Sequence, residues 1–133
     1  MRIFQHAFTA CSIIIGLAGC FFDPTTVEDS RQAAIEGLPI LAALDQYQNE
    51  HGEYPKTLGE LVPKYWDKSA FSKVGHLWYY NPKVGSTLYL AKKLGWDDSA
   101  EWKRNEGKQS IWWYDKGDGS GKGYEFKVDR DLR

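Results

Sequence analysis

Cysteine is nearly absent from this chain. Its 133 residues hold two, Cys11 and Cys20, both within the first twenty positions. Residues 21–133 therefore carry no disulfide, no thiolate metal cluster and no cysteine nucleophile. Histidine is scarce as well: beyond His6 only His51 and His76 remain, too few and too far apart for the three or four ligands of a zinc site. No charge predominates, with 17 Lys+Arg against 18 Asp+Glu, which argues against a nucleic-acid partner. The apolar run near the N-terminus is shorter than the ~20 residues a membrane-spanning helix needs. Rings are what the chain has in quantity. All six Trp and all eight Tyr lie beyond residue 40, and each large ring can bury ~150–250 Å².

The first twenty residues have a layout of their own. Met1 to His6 holds one cation, Arg2; Ala7 to Gly16 is mostly apolar; Leu17-Ala18-Gly19-Cys20 closes the stretch. Charged, apolar, then small is the order of a secretory signal. The last four residues resemble the lipobox of bacterial lipoproteins. That resemblance implies cleavage between Gly19 and Cys20, a diacylglyceryl thioether on Cys20 and acylation of its new amino group. It implies a membrane held through lipid; apart from that lipid, no cofactor is expected. Phe21 stands where an aspartate would retain a lipoprotein at an inner membrane, which implies the outer membrane in a cell that has two. On this reading residues 1–19 are a signal peptide, 20–25 a lipidated tether and 26–133 a single domain. The mature chain then has 16 Lys+Arg against 18 Asp+Glu, a net charge of −2.

Beyond the tether, Thr25-Thr26-Val27-Glu28 fits a helix-capping box, with Thr26 and Asp29 as the alternative. Ala34, Leu38, Leu41, Leu44 and Tyr47 recur at helical spacing, so one face is apolar. Pro39 is expected to kink this helix, and Gly52 to end it just past His51. A second capping box, Thr57-Leu58-Gly59-Glu60, predicts a short helix closed by Pro63. Four segments then read as strands: His76–Asn81, Thr87–Lys93, Ser110–Asp115 and Tyr124–Val128. The link Gly95–Lys108 is expected to hold one helical turn, capped by Asp98 with Glu101 at its third position. The fold class is α+β: a long N-terminal helix and a short one packed on an antiparallel sheet of about four strands.

Residues 41–65 carry a further likeness. Leu41-Ala42-Ala43-Leu44-Asp45-Gln46-Tyr47, then Gly52-Glu53-Tyr54-Pro55, then Thr57 to Tyr65 resemble the head domain of type IV pilin-like proteins, the major pseudopilins of type II secretion above all. The resemblance implies a pilin-like head and a role beside a secretion or pilus assembly. The chain departs from that family at its start, where a lipobox stands in place of the polymerising apolar helix. It also lacks the spacing and the Glu of an EF-hand around Asp115 and Asp118, so no calcium site is carried over.

The remaining candidate sites have plainer readings. His51, at a helix C-terminus, suits the helix dipole. Asp97 and Asp98, between Trp96 and Trp102, are adjacent in sequence. The carboxylates of a glycosidase instead face each other across ~5–9.5 Å from different elements. Trp112-Trp113-Tyr114 is the most suggestive stretch, because on a strand Trp112 and Tyr114 point to one face and Trp113 to the other. Left bare, Trp112 and Tyr114 are candidate partner-binding residues; the plainer reading is that Gly95–Lys108 folds over them as a small second core. No catalytic set emerges. The expected function is a non-enzymatic, lipid-anchored interaction or assembly component of the cell envelope with a protein partner. The alternative is a lipoprotein that holds peptidoglycan on Trp112 and Tyr114.

Overall fold

A computed structural model describes residues 24–84, 87–105 and 110–128. Helix α1 runs from Pro24 to His51, 28 residues, or about 42 Å at the helical rise. The chain is already helical at Pro24, where the described residues begin. The expected start at Thr25 or Thr26 is therefore too late, and the last two residues of the expected tether are helical. Residues 1–23, with Gly19 and Cys20 among them, lie outside the described residues. α1 continues through Pro39, which is exposed beside an exposed Ile35. Gly52 takes φ +78° and its N–H returns to Gln48 O at 2.8 Å, ending the helix as expected.

The short element after the Gly52–Pro55 turn is a 3-10 helix, Leu58–Leu61. The Glu60 carboxylate accepts from the N–H groups of Lys56 at 2.5 Å and Thr57 at 3.0 Å. Helix α2, Lys68–Val74, has no counterpart in the sequence reading; Asp67 caps it by accepting from Ala70 N at 2.9 Å. Five strands follow: β1 (Trp78–Val84), β2 (Thr87–Lys93), β3 (Ser99–Arg104), β4 (Ser110–Asp115) and β5 (Gly123–Phe126). They form one antiparallel meander in sequence order. The register of β1 on β2 is irregular between Asn81 and Val84, around Pro82.

The sheet thus has five strands where about four were expected. The additional one is β3, inside the link given a helical turn. Asp98 caps no helix there; its carbonyl accepts from Leu94 N at 3.0 Å and closes the β2–β3 loop. Glu101 is a strand residue paired with Ala91 on one side and Trp113 on the other. Pairing along both edges satisfies every ladder group of this segment, which one helical turn cannot do.

The core lies between α1 and one face of the sheet. Ala33, Ala34, Ile40, Leu41 and Leu44 pack on Trp78, Leu90, Trp102 and Trp112. Small residues on the helix make room for the indoles. A Cβ at Gly37 would stand 2.8 Å from Cη2 of Trp78 and 3.0 Å from Cη2 of Trp112. Ser30, fully buried in α1, donates back to Thr26 O at 2.7 Å. Among the described residues no helix is long and apolar enough to cross a membrane.

Candidate functional site

α1 covers one face of the sheet only. Strand alternation fixes which side chains stand on the other. The register aligns Tyr79, Ala91, Glu101, Trp113 and Glu125 in one row across all five strands, and Asn81, Tyr89, Lys103 and Ile111 in the next. Tyr79 is 60% exposed and meets Tyr89 edge-on at 5.7 Å. With Val84, Thr87 and Lys103 these two rings line an open groove.

Glu101 lies at the centre of this face and is only 8% exposed. A carboxylate so placed must be paired to stay charged. Lys103 Nζ reaches it at 2.7 Å and Ser99 Oγ donates at 3.2 Å. Burial, and then a hydrogen bond to Glu101, push the Tyr89 hydroxyl well above the ordinary tyrosine value of 10.0. Lys103 also stands over the Tyr89 ring, 5.8 Å from its centroid. Glu101 therefore fixes Tyr89 and Lys103 in place from below, and the exposed rings present flat apolar area with polar tips.

The aromatic pair singled out from the sequence lies on the opposite side. Trp112 and Tyr114 are 7% and 6% exposed, in the core under α1. Trp112 stacks on Phe126 at 6.1 Å and Tyr114 on Tyr124 at 5.0 Å. Their shared parity was read correctly, and so was the plainer reading that they are buried; the element expected to cover them was not. What buries them is the long helix, and the link expected to cover them is the neighbouring strand. They offer no exposed platform for a glycan or a protein. The rings on the open face are Tyr79, Tyr89 and Trp113; the sequence reading placed Trp113 opposite Trp112 and Tyr114 but singled out neither tyrosine. The signal for them was the apolar pair Leu88 and Leu90, which marks the core side of β2 and so turns Tyr89 outward.

Other candidates resolve into structure. His51 Nε2 lies 3.0 Å from the Tyr65 hydroxyl and its ring packs on Tyr47 at 4.2 Å. Tyr65 donates to Glu50 at 2.7 Å, and Lys64 pairs with the same carboxylate, which these contacts hold below the ordinary range. His76 is exposed in a 3-10 turn, Gly75–Leu77, that precedes β1, so the strand expected from His76 begins two residues later, at Trp78. Asp115 and Asp118 build the β4–β5 loop, accepting from Gly117 N at 2.6 Å and Ser120 N at 2.9 Å. The Ser120 bonds, then Lys116, hold the Asp118 carboxyl well below its usual range. Trp96 is exposed and Trp102 buried, so Asp97 and Asp98 do not share a cleft with both rings. Among the described residues no group of three or more His, Cys, Asp or Glu is placed to hold a metal ion. Comparisons of the chain with protein-family models, with curated proteins and with solved structures found no match.

Proposed function

We propose that this protein is a lipid-anchored, non-enzymatic interaction component of the bacterial cell envelope, with a pilin-like head that engages a protein partner through the uncovered face of its sheet. The observation that carries this reading is the Tyr79–Tyr89 pair with its Lys103–Glu101 support on a face that none of the described helices covers. Large rings held in place by a paired charge are the composition of a protein-binding surface. The pilin-like part rests on the order of elements and on the Gly52–Pro55 turn. Tyr54 hydroxyl accepts from Arg104 at 2.8 Å and Pro55 O accepts from Tyr80 at 2.8 Å, so the turn ties α1 to the sheet. The anchor rests on Leu17-Ala18-Gly19-Cys20. Acyl chains at Cys20 in place of a polymerising helix make this an anchored single domain beside a secretion or pilus assembly.

Photo-cross-linking in cells tests it. A benzophenone amino acid at Tyr79 or Trp113 is expected to capture one discrete envelope protein, while the same group at Arg31 on the exposed side of α1 captures none. Absence of a discrete adduct from both open-face positions defeats the reading. Separately, Cys20→Ser is expected to release the protein from membranes; unchanged processing and membrane binding would defeat the anchor.

A further inference from the structure

The β2–β3 loop carries Trp96 at its tip, 95% exposed, the most exposed large hydrophobic residue described. Its position follows from two ion pairs. Glu36 of α1 pairs with Lys92, and Asp45 pairs with Arg104. Lys92 opposes Ala100 and Arg104 opposes Leu88 in the β2–β3 register. From Asp45 back to Glu36 the helix advances about 13.5 Å, and from Leu88 to Lys92 the strand advances by about the same. α1 therefore lies alongside β2 and β3, with its N-terminus pointing to the end of the sheet where β2 turns into β3. Pro24 stands about 18 Å beyond Glu36 on that side, and the tip of the loop about 10 Å beyond Lys92. The β4–β5 loop is at the same end and props the first. Gly117, at φ +72°, lies so close to the backbone carbonyl of Asp97 that no Cβ fits between them.

Cys20 precedes Pro24 by four residues, a reach of at most about 14 Å. If Cys20 is acylated, the end of the domain bearing Trp96 is held near the bilayer; Pro24 stands about 8 Å further out than the loop tip, so an inclination of α1 of roughly 40° brings the indole to the headgroups. We infer that Trp96 is a second membrane contact, an interfacial anchor that sets the orientation of the domain on the lipid surface. The inference rests on the lipoprotein reading proposed above. An indole has an apolar body and a polar N–H, the pairing that favours the membrane–water boundary. The two loops at this end carry Lys93, Lys116 and Lys122 against Asp97, Asp98, Asp115 and Asp118, no strong net charge, so the contact rests on the ring and is expected to resist salt. Held this way, the domain projects its uncovered sheet face sideways, toward other envelope proteins.

The full lipidated protein, reconstituted in phosphatidylethanolamine–phosphatidylglycerol vesicles brominated near the headgroup, tests this by tryptophan quenching. Intact mass reads acylation of Cys20 in the same sample. Bromolipid is expected to remove part of the emission of the acylated protein, unchanged in high salt, and Trp96→Ala is expected to abolish most of that loss while leaving the circular dichroism unchanged. An acylated protein whose emission is unquenched, or quenched equally in Trp96→Ala, overturns the second contact and leaves the anchor standing. A blue-shifted Trp96 emission without quenching assigns the ring to contact with a second copy of the chain and overturns it too. An unacylated Cys20 overturns the anchor reading and this inference with it.

Discussion

Arg104 and Asp45 meet across 59 positions of chain: guanidinium Nη1 lies 2.5 Å from one carboxylate oxygen and Nη2 3.4 Å from the other. The same guanidinium donates to Tyr54 and lies over the Trp102 ring at 4.7 Å. One side chain of β3 thus ties α1, the turn after it and the core together. An exposed ion pair contributes up to ~1 kcal/mol and breaking a buried one costs ~3 or more. Arg104 is mostly covered while Asp45 is about half open. Arg104→Ala is expected to cost about 2 kcal/mol in urea unfolding, and Arg104→Lys roughly half of that, since it keeps the charge and loses the fork.

Gly37 is the closest approach of α1 to the sheet. Replacing a helical glycine by alanine ordinarily gains ~1 kcal/mol. Here the new methyl meets two buried indoles whose rings cannot swing away. Overpacking of that kind costs ~1–3 kcal/mol. Gly37→Ala is expected to be neutral to destabilising, and Gly37→Val to lower the urea midpoint clearly with little change in slope.

The Glu36–Lys92 pair makes stability depend on acid. The hydrogen bond from Lys92 holds the Glu36 carboxyl below its ordinary value of 4.5. A carboxyl lowered on folding stabilises fully above its unfolded value and loses that contribution as pH falls through its folded one. Lys92→Met is therefore expected to lower Tm at pH 7, with the gap to the unaltered protein closing in the acid range below 4.5. A gap that is constant with pH would mean that Lys92 acts through packing alone.

Trp112 and Tyr79 separate folding from binding. Trp112→Ala is expected to cost about 3–5 kcal/mol, as core aromatic truncations do. Tyr79→Ala, on an exposed ring, is expected to stay within about 1 kcal/mol while losing the cross-linked partner. The reverse pattern would place the functional surface under α1.

How far the fold was legible depended on whether local chemistry and final structure agreed. α1 and its end at Gly52 were readable because periodicity and a left-handed glycine both point the same way. β2 was read to its residue limits from its alternation. β3 was not, because Ser99-Ala-Glu-Trp-Lys-Arg is poor in strand-favouring residues and becomes a strand only between two ready-made neighbours. Missing it left open whether α1 or the link covers Trp112 and Tyr114, and so which face of the sheet stays uncovered. Glu101 was illegible for the same reason. Read as a helix-capping partner, it stands in fact under a tyrosine and a lysine that the sequence places far from one another.

The meander leaves two edges, and both resist growth. β1 carries Pro82, which has no N–H to donate, at the point where its register breaks. β5 is only four residues long. Unpaired edges are the usual template for adding a strand from another chain. With one edge interrupted and the other short, this sheet gives little purchase for main-chain pairing. On the function proposed above, recognition would then fall to side chains on its face and at its ends, where a partner would bind and release without extending the sheet.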